Sequence, residues 1–309
     1  MNILIVGTGV IGTLYGCALA EKHTISHFVR SEKLNAFDQK KISYDFIDER
    51  NAKKQRNTNG YYTYRCVDKA NDKYDLIIVC VKTHQLSEAL FTLVTQAPNV
   101  NYLLFTLDWN SSSEYDKLLN KKQYVIGYAG GGGTFRKDLL WANLGNDIML
   151  GAVYNEQRPL LNIVIELFKS CKITPKVPGK PLHWLWIHNV GSAPLGVALT
   201  KYNNIDLLLK DKTLIKTSFL AMREGYKICE KRGVDLKLYD EAKMMSLPLW
   251  ILCPMFKFNF TKNPVMQRYT AHAVDSIGEM VHNFKEIFKT GNSLGLNMPN
   301  MELLNTLIK

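Results

Sequence analysis

The chain has 309 residues, 46% hydrophobic and 22% charged, with a formal net charge of +11. That balance predicts a soluble, globular chain long enough for two cores, and no apolar run reaches the ~18–20 residues of a membrane span, so no membrane partner is expected. The basic residues are dispersed and no basic run is interleaved with stacking aromatics, so they read as a solvated surface with a preference for anionic small molecules and no nucleic-acid partner.

In chain order, Asn2–Val6 (NILIV) reads as a buried first strand. It lacks the basic start and small-residue cleavage site of a signal peptide. VIGTLYGCALAEK follows as a helix with small residues on one face, and Thr24–Arg30 (TISHFVR) is the next strand. Tyr74–Lys82 (YDLIIVCVK) is nearly continuous in apolar residues, as expected of a strand buried on both faces. HQLSEALFTLV is then an amphipathic helix, and Asn101–Leu107 and Tyr124–Tyr128 are further strands. This rhythm predicts an α/β fold with a doubly wound parallel sheet. KITPKVPGKPLHW, rich in Pro and Gly, reads as a connector. Beyond it, LIKTSFLAMREGYKICEKRG shows helical spacing and ends in Gly233, a good C-cap. AHAVDSIGEMVHNFKEIFKTGNSLG is another long amphipathic helix. The expected domains are 1–175, the α/β part, and 176–309, mostly helical. The six cysteines are scattered without C-x-x-C or zinc spacing. They read as buried reduced thiols in a cytoplasmic protein, with no metal site.

The sharpest motif is Gly7-Thr8-Gly9-Val10-Ile11-Gly12, which follows a five-residue apolar strand and opens a helix. Gly7 permits the tight turn, Gly9 lets a pyrophosphate approach the backbone, and Gly12 lets the helix pack close to the strand. The helix N-terminus offers free N–H groups to phosphates. The bland alternative is three glycines in an ordinary strand–helix turn. In this Rossmann-type context an acidic residue ending strand two would read a ribose diol. Arg30 stands there, and its fork of donors suits a 2′-phosphate, so the expected cofactor is NADP(H). The alternative is a solvated Arg30 with Glu32 reading the ribose.

Together the glycine loop, HFVRSEKLNAF with Arg30, and DLIIVCVKTHQ resemble ketopantoate reductases (2-dehydropantoate 2-reductases). VIGYAGGGGTF, GNDIMLG and the C-terminal GLNMP extend the likeness over nearly the whole chain, with its most specific part in the first 90 residues. The resemblance implies a Rossmann domain followed by a helical domain, with a site in the cleft between them. It implies NADPH-dependent reduction of a 2-oxo acid to a 2-hydroxy acid, and pairing into a homodimer through the helical domain. Lys82 and Gln85 fall on the Val-Lys and Gln positions that end the family's fourth strand. Lys82 is thus expected to position cofactor or substrate, its bland alternative being a surface lysine.

The second half departs from the family pattern. The family's catalytic lysine falls on Leu185 here, although the asparagine four residues on survives as Asn189. No lysine lies between Lys180 and Lys201. The family's nicotinamide-contacting asparagine falls on Trp109, with Asn110 one residue later as the expected contact. The serine-bearing segment appears as Asn263–Gln267 without serine, while Glu279 matches the family glutamate. A leucine can neither donate a proton nor stabilise an alkoxide, and general acid help is worth ~10²–10⁴-fold. His188, three residues on and on a neighbouring part of the helix face, is the expected substitute; its bland reading is a helix histidine at a domain surface. His183 reads as a cap or packing residue, and His84 as a cleft or surface residue. Trp109, Trp184 and Trp186 read as pocket walls or as core. Gly130–Gly133 is either a site of close backbone approach or a flexible turn. Two functions follow: an NADPH-dependent 2-oxo acid or ketone reductase using Lys82, His188, Asn189 and Glu279, or an NADP(H)-binding protein without turnover.

Overall fold

The computed structural model describes residues 1–50 and 56–308. The chain forms two units. Met1–Thr106 and Ser111–Pro181 make the first; Leu107–Asn110 joins the residues from Leu182 onward in the second.

The first unit contains, in order, β1 (Asn2–Val6), α1 (Val10–Leu19), β2 (Thr24–Phe28), α2 (Ser31–Phe37), β3 (Lys41–Asp48), β4 (Arg56–Thr63), β5 (Cys66–Val67), β6 (Leu76–Val79), α3 (Leu86–Gln96), β7 (Tyr102–Phe105), α4 (Ser113–Asp116), β8 (Tyr124–Tyr128), β9 (Gly131–Arg136), β10 (Leu139–Leu144), β11 (Asp147–Gly151), α5 (Arg158–Ser170) and β12 (Thr174–Lys176). Eight strands form one sheet in the order β12-β11-β8-β7-β6-β1-β2-β5. The run from β5 across to β8 is parallel throughout. The expected doubly wound parallel sheet is therefore present, extended by β11 antiparallel to β8 and β12 parallel to β11. That last pairing keeps the chain up to Pro181 with the sheet. The central strands β1, β6 and β7 carry apolar side chains on both faces and are buried on both, as their unbroken apolar runs require. From β1 the chain moves to β2 and β5 on one side, and from β6 to β7 and β8 on the other. The carboxyl ends of β1 and β6 thus flank a topological switch point, where open α/β sheets bind ligands.

A second sheet of four strands, β4-β3-β10-β9, was not expected from the sequence. β3 pairs with β4 antiparallel but with β10 parallel, over residues almost a hundred positions apart. It covers α1, whose Leu14 and Tyr15 are fully buried. The glycine run belongs here and is no flexible turn. A Cβ at Gly130 would lie 1.8 Å from the Asp147 carbonyl oxygen, and one at Gly133 would lie 2.3 Å from that of Trp141. Gly131, at φ +148°, sits against Leu14 and the Asn143 carbonyl. The Tyr15 hydroxyl accepts from Gly130 N at 2.9 Å. The run is thus a close approach of backbone to backbone.

The second unit is helical: α6 (Pro181–Thr200), α7 (Ile205–Leu208), α8 (Lys212–Lys231), α9 (Asp240–Met245), α10 (Leu249–Lys262), α11 (Pro264–Asp275), α12 (Ile277–Ser293) and α13 (Pro299–Asn305). Val197, Phe219, Ile228, Phe284 and Ile287 form the centre of its core. The buried carboxylate of Glu224 caps α13, accepting from Asn300 N at 3.1 Å and Met301 N at 2.8 Å. Among the described residues no helix is long and apolar enough to cross a membrane. Replacing Gly130 by Ala forces backbone to move and is expected to cost about 3 kcal/mol in chemical denaturation. Gly179→Ala, where the Cβ would meet nothing within 4 Å, is expected to change stability by less than about 0.5 kcal/mol.

Candidate active site

The glycine loop runs over the carboxyl end of β1. Gly7 has φ +115°, and a Cβ there would stand 2.9 Å from the Cys80 carbonyl oxygen. A Cβ at Gly12 would stand 2.3 Å from Gly7 O, so the first turn of α1 can only lie where it does with glycine at 12. Gly9 is different: a Cβ there would meet nothing within 4 Å. Its outer side is open, which is the condition for a ligand to approach the backbone. Gly9 is also the N-cap of α1, with no side-chain cap bond and no acidic residue in the first turn. The first-turn amides around Val10 and Ile11 and the helix dipole thus suit an anion.

Beneath the loop lies a buried polar group that the sequence reading passed over. His27 of β2 is fully buried, with Nδ1 3.3 Å from Gly7 O and Nε2 2.8 Å from the Tyr62 hydroxyl. Thr13 Oγ1 donates to Thr8 O at 3.3 Å and lies 2.6 Å from the Tyr64 hydroxyl. Burial pushes the His27 imidazole down to about 4, although the Gly7 hydrogen bond opposes this. Burial also raises both tyrosine hydroxyls well above their ordinary range. All of these groups are neutral at physiological pH.

The same edge carries Arg30 and Lys82. Arg30 is the exposed residue at the N-terminus of α2, and its guanidinium lies 3.7 Å from Glu88 in the first turn of α3. Both partners are largely exposed, so the pair contributes little stability and is open to exchange. The sheet pairing of β6 ends at Val79, short of the expected Lys82. Lys82 instead opens a single 3₁₀ turn, Thr83–Gln85, with Lys82, His84 and Gln85 all exposed. The glycine loop, Arg30 and Lys82 thus share one edge of the first unit.

Asn110, His188, Asn189 and Glu279 belong to the second unit. Asn189 of α6 is fully buried; its Nδ2 donates to Leu107 O at 2.5 Å and its Oδ1 accepts from Asn283 at 2.8 Å. Asn283 of α12 also reaches Leu107 O at 3.4 Å. Glu279 is one helical turn before Asn283 and shares its face of α12. Trp109 is core: its indole N–H donates to Thr290 at 2.9 Å, and its carbonyl accepts from Arg232 at 3.0 Å. The Arg232 guanidinium lies over the rings of both Trp186 and Trp109, at 3.5 and 4.3 Å from their centroids. The Trp186 indole N–H donates to Asn110 O at 3.4 Å, while the Asn110 side chain is exposed.

The two α6 histidines each stack on a tryptophan, His183 on Trp186 and His188 on Trp184, with centroids 5.2 Å apart in both pairs. His188 Nδ1 also lies 3.3 Å from Glu241 Oε1. Burial raises the Glu241 carboxyl, but the His188 hydrogen bond and charge outweigh this and hold it below its ordinary range. Leu185 has no exposed surface. Arg232, Asn283 and Glu241 gave no signal in the sequence, because each acts on residues tens of positions away.

Residues 3–118 match the family model described as ketopantoate reductase PanE/ApbA. The 2-dehydropantoate 2-reductase of Pyrococcus abyssi is 23% identical over 243 residues, 76% of either chain. Among solved structures, a D-mandelate dehydrogenase with NADH and anilino(oxo)acetate aligns with a TM-score of 0.74 at 14% identity, over 99% of this chain and 97% of that one. A dimeric ketopantoate reductase from Staphylococcus aureus aligns with a TM-score of 0.69 at 12% identity, over 99% and 97%. At these identities the structural matches establish a shared fold.

Two outcomes are expected here. Trp109→Asn removes a buried indole, its Thr290 bond and the Arg232 stack; it should cost about 3–5 kcal/mol in chemical denaturation. His27, with an ordinary value of 6.5 and a folded value of about 4, binds its proton more readily in the unfolded chain. Its contribution is full above pH 6.5 and is lost as pH falls toward 4, by about 3 kcal/mol in total. The pH dependence of stability in that window should shrink in His27→Asn.

Proposed function

With residues 3–118 as a ketopantoate reductase PanE/ApbA domain, we propose that the chain is an NADPH-dependent oxidoreductase reducing a 2-oxo acid, or a related ketone, to the hydroxy compound. The observation that carries this reading is the open Gly9 at the uncapped start of α1, set at the switch point of a parallel sheet. A dinucleotide diphosphate needs that backbone. Gly7, Thr8, Gly9, Val10, Ile11 and Gly12 would hold it, and Arg30, released from Glu88, would take the 2′-phosphate. The nearest alternative for the cofactor is NADH, which the D-mandelate dehydrogenase structure contains.

Reduction delivers hydride to the carbonyl carbon, and the oxygen gains a negative charge that must be met by a cation or a proton. Lys82 supplies the cation that positions cofactor or substrate. His188 gives the proton in place of the lysine replaced by Leu185, with Glu241 stabilising the imidazolium form. Asn189 and Glu279 orient the substrate, and Asn110 meets the nicotinamide end. We place the enzyme in the cytoplasm, acting on a small 2-oxo acid or ketone, and pairing with a second copy as the dimeric Staphylococcus aureus relative does. A second reading, NADP(H) binding without turnover, is favoured by Leu185 and by the engagement of the Asn189 amide with Leu107 and Asn283.

The test is calorimetric binding of NADPH and NADH, followed by NADPH oxidation with ketopantoate and a panel of 2-oxo acids. NADPH is expected to bind tighter, and Arg30→Ala to reduce the preference about ten-fold. His188→Gln should lower kcat about 10²–10⁴-fold and leave NADPH affinity unchanged. Tight NADPH binding with no turnover on any substrate would leave the second reading standing.

A further inference from the structure

The polar group under the glycine loop has a consequence for the loop's outer face. Gly7 O is an acceptor only, so His27 Nδ1 must carry the proton it shares. The ring is neutral, so Nε2 accepts, and the Tyr62 hydroxyl donates to it. Thr13 spends its single hydroxyl proton on Thr8 O, so the Tyr64 hydroxyl donates to Thr13 Oγ1. Two short relays, Tyr62–His27–Gly7 and Tyr64–Thr13–Thr8, therefore rise from one end of β4 to two successive carbonyls of the loop. His27, Thr13 and Tyr64 are all almost completely buried.

In a trans peptide the N–H points opposite to the C=O of the same plane. Pulling Gly7 O inward turns the Thr8 N–H outward, and pulling Thr8 O inward turns the Gly9 N–H outward. On that outward side the loop is open, since a Cβ at Gly9 would meet nothing within 4 Å. Packing reinforces the arrangement. A Cβ at Gly16 would come within 2.7 Å of His27 Nε2 and 2.8 Å of the Tyr62 hydroxyl, so α1 leaves the relay just enough room.

We propose that His27 and Thr13 are positioning residues for cofactor binding: backed by Tyr62 and Tyr64, they fix the Gly7–Thr8 and Thr8–Gly9 peptide planes so that both N–H groups face the diphosphate of a dinucleotide. This rests on the dinucleotide reading above and adds the residues that prepare the loop for it. Preorganised donors cost no reorientation when the anion arrives, so the relays act on affinity for the diphosphate and not on the adenosine or its 2′-phosphate.

The experiment titrates two ligands, ADP-ribose 2′-phosphate and adenosine 2′-monophosphate, into the full chain and four variants. His27→Gln places its amide near Nε2 and loses the Gly7 bond; His27→Asn places a donor near Nδ1 and keeps it. Thr13→Val removes the hydroxyl at constant shape, and Thr13→Ser restores it. H27Q and T13V are expected to weaken the diphosphate ligand about ten-fold and to leave adenosine 2′-monophosphate unchanged. H27N and T13S should stay within about two-fold of wild type for both. If H27Q does not fold, the T13V and T13S pair makes the same comparison. Equal losses for the two ligands, or wild-type diphosphate affinity in T13V, overturn the proposal. A wild-type chain that binds neither ligand overturns the dinucleotide reading, and the proposal with it.

Discussion

The contact between Gly12 and the Gly7 carbonyl is the constraint from which the first unit is built. With no Cβ at position 12, the first turn of α1 settles onto the end of β1; any side chain would put its Cβ 2.3 Å from the Gly7 carbonyl oxygen and force the turn away. That placement sets the line of the whole helix. Gly16 then lies over His27, and Leu14 lies against Gly131 of the second sheet. Each of these approaches needs a glycine on one side, so the glycines at 7, 12, 16 and 131 form one packing solution. The open Gly9 stands apart from it, because its missing Cβ leaves space and fills none.

The second unit depends on a different clasp. Leu107–Asn110 is only four residues, but three of its carbonyls are held by side chains of the helical unit. Leu107 O takes two asparagines, Trp109 O takes Arg232, and Asn110 O takes Trp186. A buried carbonyl without partners is costly, so these bonds fix the segment's path as firmly as the Trp109 ring does. Trp109, which the resemblance aligned with a cofactor-contacting asparagine, is a packing residue in this structure.

The strands and the motif were legible because their signals are local. An unbroken run such as LIIV between polar segments has few solutions other than a strand buried on both faces, and Gly7–Gly12 carries its meaning in its own spacing. The second sheet was not legible. β4 reads RNTNGYYT, a polar stretch without an apolar face, and β3 finds its parallel partner in β10 only through the tertiary fold. His27 was hidden for the same reason: in TISHF it looks like one polar residue in a strand, and only Tyr62, thirty-five positions away, gives it a partner. Asn189 was singled out through the family resemblance, but its bonds to Leu107 and Asn283 were not legible, since they depend on where α12 packs.

Leu185, which the resemblance aligns with a lysine, stands where a lysine would not be accommodated by itself. The position has no exposed surface and lies on the helix that holds the clasp. An ammonium placed there would lose most of its hydration, at a cost of several kcal/mol unless a carboxylate or other oxygens met it. That cost would push the lysine toward its neutral form, which is a poor proton donor. A charged lysine at position 185 would therefore require reshaping the neighbourhood along with the residue. On the same helix Trp186, together with Trp109, closes over the Arg232 guanidinium. The proposed proton donor, His188, lies instead on the partly exposed side of α6, with Nδ1 3.3 Å from Glu241 Oε1.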